Sequence, residues 1–145
     1  MDGLTEKDYS NLSNSFITPE IVESAKLRRV SDMEGAETIG RLRKAGTDYA
    51  GIVFPYFLPP NYNYPRQYRL RRDDPEYEQK ADGTQKEKGK YLSAPGAANM
   101  LYFPPEIQSE WLEDVSLPVA ITEGEKKTLA LHRLSRHDSD ESGSP

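Results

Sequence analysis

No cysteine occurs among the 145 residues. A disulfide framework and a thiolate metal site are therefore impossible, which excludes zinc-ribbon and thiol-redox functions. Histidine is nearly as scarce: His132 and His137 lie five apart, do not share a helical face, and do not make a paired metal site. No apolar run reaches the roughly 20 residues that span a bilayer. The N-terminal MDGLTEKDY has neither a basic leader nor an apolar stretch, so the expectation is a cytoplasmic protein with no membrane partner.

An excess of positive charge is also missing, since the net charge is −5. That argues against a uniformly basic nucleic-acid binder, but the distribution matters more than the sum. Residues 1–65 carry seven basic and nine acidic side chains, 106–145 carry four and nine, and 66–90 carry eight and six. Only the middle is net positive.

What is there reads as an α+β chain of one ordinary domain or two small pieces. Thr5 caps a first short helix, and Thr18-Pro19 starts a second that carries Ile21, Val22, Ala25 and Leu27. Ser31 to Glu34 spells a capping box for a third helix, expected to show Met33, Ile39 and Leu42 and to end at Gly46. The apolar faces of this helical segment, 1–46, are thin, so it should lean on the rest of the chain.

A β-rich region, 47–116, comes next. Gly51 to Phe57 reads as a strand, 58–65 as a loop rich in Pro, Asn and Tyr, and Gln67 to Arg71 as a second strand of a hairpin. Tyr68 and Leu70 should share one face, with Gln67, Arg69 and Arg71 on the other, wet one. Residues 73–89 hold no apolar periodicity and read as a solvated, disordered loop. Lys90 to Gly96 is extended and then turns, Met100 to Phe103 is a short apolar run, and Pro105 should open a helix through Trp111 and Leu112.

The stretch LPVAITEGEKKTLAL, Leu117 to Leu131, reads as a buried strand over Val119 to Thr122, an acidic turn and a helix from Glu125. This places Glu123 at the carboxyl end of a strand, where open α/β sheets bind ligands, and the neighbouring Gly124 lets a phosphate or metal approach the backbone. The plainer alternative is acidic charge complementing a helix dipole. A similar choice applies to Arg69, Arg71, Arg72 and Lys90 beside Tyr56, Tyr62, Tyr64, Tyr68 and Tyr91. They form either a basic groove with stacking aromatics for single-stranded nucleic acid or a solvated hairpin face.

Strand, Glu-Gly and acidic helix together resemble the first motif of the Toprim domain, found in bacterial-type primases, topoisomerases and some nucleases. Four upstream segments resemble, in the same order, those that precede this motif in bacterial-type primases: Val53-Phe54-Pro55, Arg69-Leu70-Arg71, Lys90-Tyr91-Leu92-Ser93-Ala94-Pro95 and Leu101-Tyr102-Phe103. The chain is similar overall to uncharacterised primase-associated proteins of phages, plasmids and other mobile genetic elements. The resemblance implies that Glu123 is the catalytic acid and a Mg2+ ligand, and that Arg69, Arg71, Lys90 and Tyr91 hold nucleic acid. It also implies single-stranded DNA or RNA, a replication helicase or a second Toprim-bearing chain as partners.

One departure stands out. A complete Toprim site also needs an Asp-x-Asp pair beside the Glu, and Asp138-Ser139-Asp140 has the spelling without the geometry. A helix from Glu125 to Arg136 is about 18 Å long, and two residues at roughly 3.3 Å each cannot bring Asp138 back. Residues 117–136 thus read as a partial Toprim βα unit and 137–145 as a disordered tail. With no GxxxxGK[ST] present either, two readings remain. One is a truncated or inactive primase-like nucleotidyltransferase, associated with DNA replication, that still binds nucleic acid. The other is a non-catalytic interaction module whose partner supplies the missing half, and whose open strand edge at Val119 to Thr122 promotes self-association.

Overall fold

Three side-chain oxygens set the start of the N-terminal helices. In the computed structural model, which describes residues 3–136, Thr5 accepts from the backbone of Asp8 and Asp8 accepts from the backbone of Thr5. This closes a capping box on α1, Glu6–Ser13. Thr18 accepts from Ile21 at the head of α2, Pro19–Ser24, where Pro19 fills a position whose N–H has no helical partner. After the short strand β1, Arg28–Val30, Ser31 and Glu34 form a second capping box on α3, Asp32–Thr38.

The third helix is shorter than its sequence pattern suggests. It ends at Thr38 rather than Gly46, because Gly40 takes the left-handed conformation at φ 63° and turns the chain. Of the three apolar residues expected inward, only Ile39 is buried, while Met33 and Leu42 face solvent.

Strands β2, Gly51–Tyr56, β3, Gln67–Arg72, and β6, Tyr91–Ser93, complete a four-stranded antiparallel sheet in the order β1-β2-β3-β6. Val53 pairs with Leu70 and Phe54 with Arg69, so the residues divide between the faces as alternation predicts, but the face of Arg69 and Arg71 is not the wet one expected, because Phe54 and Tyr56 on it pack against the helices. Close pairing at its open end requires Gly51, where a Cβ would come within 2.0 Å of the Arg71 carbonyl oxygen.

Each sheet face carries its own core. Val30, Val53 and Leu70 pack with Ala36, Ile39 and Tyr49. Ile52, Phe54 and Tyr56 pack with Leu12, Ile17, Ile21, Val22, Ala25 and Leu27, and with Leu129 of the C-terminal helix α5, Glu125–Ser135. The helical N-terminal segment leans on the sheet, as its thin apolar faces require, and the stretches on either side of the middle region meet in one core. The fold is α+β.

Residues 73–89 are ordered, contrary to the loop expected. They form a hairpin of β4, Glu76–Gln79, and β5, Gln85–Lys88, although every residue in both strands is exposed. Opposite charges replace apolar contacts: Glu76 faces Lys88 and Glu78 faces Lys86. Gly83, at φ 85°, makes the turn, and Lys80 and Thr84 close it by a 2.8 Å backbone hydrogen bond. The base is held by Arg72, whose guanidinium donates to the Glu76 carboxylate and to the carbonyls of Lys88 and Gly89.

Two further expectations fail. The helix begun by Pro105 is only a short turn of chain, α4, Ser109–Glu113, with Trp111 and Leu112 exposed and no side-chain cap. Val119 to Thr122 form no strand: Val119 and Ile121 are 80% and 82% exposed. Their β-prone side chains find no neighbouring ladder among the described residues, and strand propensity expresses itself only against such a neighbour. Without that strand there is no open edge at this point to drive self-association. No helix among the described residues is long and apolar enough to cross a membrane.

Candidate functional site

Helix α5 starts after Gly124 and turns Glu125 inward, because Glu125 and the fully buried Leu129 are four residues apart and share a face. The Tyr56 hydroxyl donates to Glu125 Oε1 at 2.5 Å, and Arg69 Nη1 lies 3.5 Å from the same oxygen. Burial pushes the Tyr56 phenol well above its ordinary range, and the adjacent carboxylate pushes it further. Tyr102 covers the group with its ring edge-on to Tyr56, centroids 5.0 Å apart. The result is a buried carboxylate, a phenol and a guanidinium that fix α5 against β2 and β3.

Arg69 faces outward from this group, over the Tyr91 ring at 5.4 Å. There it lines a cleft of about 570 Å³, shared with Phe16, Tyr91, Glu123, Lys126 and Lys127. Burial pushes the Lys126 ammonium below its ordinary pKa, and Arg71 and Lys90 add to the depression. Arg71 lies opposite Tyr91 in the β3–β6 ladder. Both Arg69 Nε and Arg71 Nε are buried with no hydrogen-bond partner among the described residues, an arrangement that costs free energy until something accepts from them. Of these five cations, Glu125 offsets Arg69, Glu87 lies 2.8 Å from Lys90 Nζ, and Glu123 pairs with Lys127. The remaining positive charge favours an anion at the cleft. A smaller cleft of about 310 Å³ beside α1 and α2 is lined by Glu20 and Glu23, with no cation.

Of the residues singled out in the sequence, Arg69, Tyr91 and Glu123 thus line one cleft; Arg71 and Lys90 do not line it, but Arg71 pairs with Tyr91 in the ladder and both depress the pKa of the Lys126 ammonium. Glu123 does not sit at a strand end; its side chain is 90% exposed and pairs with Lys127 at 3.2 Å. No group of three His, Asp or Glu side chains able to hold a metal exists among the described residues. One carboxylate already paired with a lysine does not fit Mg2+, which takes several oxygen ligands. Asp138, Asp140 and His137 lie outside the described residues. Burial depresses the pKa of His132.

Sequence reasoning missed Glu125, Lys126 and Phe16. The first had a readable signal, its spacing from Leu129; the other two are set by which segments meet around the cleft. Compared with family models, curated proteins and solved structures, the chain matches none.

Proposed function

We propose that this is a primase-like, Toprim-related module associated with DNA replication in the cytoplasm, which binds single-stranded DNA or RNA without catalysing phosphoryl transfer. The observation that supports it best is the convergence of Arg69, Arg71, Lys90 and Lys126 around a cleft walled by Tyr91. Cations track the phosphates and an aromatic wall accommodates bases, the combination that single-stranded nucleic acid needs. The absence of catalysis rests on the donor set at Glu123, which is too poor for Mg2+.

Anisotropy of a fluorescein-labelled oligothymidylate tests the reading. Binding should weaken as salt rises, and replacing Arg69, Arg71 and Lys90 together by Ala should abolish it at moderate salt and flatten the log–log salt slope by about 2. Thermal melts of both proteins establish that the variant is folded. Unchanged binding in the variant, or none by the wild type at low salt, would return these residues to a solvated-face role. Template-dependent dinucleotide synthesis that vanishes in Glu123→Gln would overturn the non-catalytic part.

A second reading is favoured by the exposed apolar side chains of Val115, Val119 and Ile121. In it the chain is an interaction module, and a second Toprim-bearing chain or a replication helicase covers them. Sedimentation of the isolated protein, with and without Val119→Ser and Ile121→Ser, separates association through this segment from nucleic-acid binding at the cleft.

A further inference from the structure

Phe16 occupies a position that ordinarily belongs to glycine. Helices α1, α2 and α3 all end in the same six-residue hydrogen-bonded turn: Ile17 N–H donates to Leu12 C=O at 3.0 Å, Leu27 to Val22 at 3.1 Å and Arg41 to Ala36 at 2.9 Å. In each, the residue just before the donor must adopt a left-handed backbone. At α3 it is Gly40, φ 63°; at α2 it is Lys26, φ 56°; at α1 it is Phe16, φ 63°. A Cβ makes this conformation unfavourable, so a side chain found there calls for an explanation in what it contacts.

Lys26 has one. Its ammonium donates to the Tyr62 carbonyl at 2.6 Å and lies 5.5 Å from the Phe57 ring centre, tying α2 to the loop after β2. Phe16 has no such role in the core: it is 66% exposed, whereas its neighbour Ile17 carries the burial at 1%. Its backbone is nonetheless held, since Arg133 of α5 donates to the Phe16 carbonyl at 3.2 Å. The exposed ring lines the same cleft as Arg69, Tyr91 and Lys126.

We infer that Phe16 is a base-stacking residue of this cleft. The proposal deepens the nucleic-acid reading above and rests on it. Tyr91 already has the Arg69 guanidinium over its ring, so Arg69 is committed to a face of Tyr91 and presents its remaining donors to a phosphate. Phe16 supplies an apolar ring face from the α1 side of the cleft. The ligand chemistry is therefore a nucleobase adjoining a phosphate, with the base on Phe16 and the phosphate on Arg69 and Lys126. The hydrogen bond from Arg133 holds the Phe16 backbone, so little main-chain freedom is lost when a base stacks on the ring.

The test compares wild type, Phe16→Gly, Phe16→Leu and Phe16→Tyr in anisotropy titrations with a labelled oligothymidylate and with an abasic oligomer of equal length. Phe16→Gly should keep or raise the thermal midpoint, because glycine relieves the backbone, while weakening oligothymidylate binding about tenfold. Phe16→Leu should lose a similar factor and Phe16→Tyr should retain affinity. The abasic oligomer should bind all four proteins alike. Oligothymidylate affinity that is equal in wild type and Phe16→Gly overturns the inference while leaving the nucleic-acid reading intact. A lowered midpoint without a binding change assigns Phe16 to packing. No oligothymidylate binding by the wild type overturns both.

Discussion

The two faces of the four-stranded sheet come from the same strands and the same hydrogen-bond ladder, yet they differ in kind. On one, Val30, Val53 and Leu70 meet α3 through Ala36 and Ile39, and the two arginines that share this face have partners, Arg28 donating to Thr38 and Arg72 to Glu76. On the other, Ile52, Phe54 and Tyr56 form an apolar patch, but Arg29, Arg69 and Arg71 alternate onto that face too, and α1 and α5 bring Asp8 and Glu125 down to meet them. A period of two lets one strand serve both purposes. On the first face the arginines are paired; on the second the Nε groups of Arg69 and Arg71 are buried without a partner among the described residues.

The largest expected effect sharpens this contrast. Leu70→Ala should cost about 3 kcal/mol of unfolding free energy, because Leu70 is fully buried and its neighbours cannot collapse into the space. Arg71→Met, the adjacent residue on the other face, should change stability by less than about 1 kcal/mol, since it removes a buried N–H with no partner. It should still weaken oligonucleotide binding. Urea titrations of both variants would erase the contrast by returning equal losses.

A smaller effect belongs to acid. The hydrogen bonds from Arg29 lower the Asp8 carboxyl from 3.8 to about 2, against the opposing effect of burial. The unfolded chain therefore takes up a proton at Asp8 before the native one does. The associated stability, about 2 kcal/mol, is fully present above pH 4 and disappears as pH falls towards 2. Asp8→Asn should be less stable at pH 7 and show a flatter profile through this window; a profile identical to wild type would mean that α1 is not held by this pair. The smallest effect is expected far from both faces. Lys86→Glu places like charges opposite each other at Glu78, which should cost under about 1 kcal/mol and leave oligonucleotide binding unchanged.

Much of the scaffold was legible in the sequence because it depends on neighbours in the chain. Thr5, Thr18 and Ser31 cap helices through residues three positions on, and the Gly51–Phe57 and Gln67–Arg71 alternation fixed the hairpin and its faces. Arg69, Arg71 and Lys90 were legible from the basic stretch that carries them, whereas Lys126 was not. Illegible features depend on remote partners. Glu123 and Glu125 look alike in an EGE triplet, and the difference between an exposed and a buried carboxylate is made by Tyr56, 69 residues away. The β4–β5 hairpin lacks apolar periodicity, and its signal was instead the Asp82-Gly83 turn between two runs of alternating charge. Val119 and Ile121 misled in the other direction, since their strand propensity has no ladder to join.

Arg72 has a consequence beyond its own burial. It is 2% exposed, takes its own backbone N–H to the Lys90 carbonyl at 2.8 Å, and with one guanidinium holds the first residue of β4 and the last of β5. The arm between them is thus clamped at its root and free of the core along its length. Changes in the length or composition of its tip, Lys80 to Thr84, stop at the clamp and do not propagate to the sheet. The molecule accordingly carries a natural grafting point: an epitope or a fluorophore-bearing peptide inserted after Gly83 would extend from the surface while the cleft beside Arg69 keeps its shape.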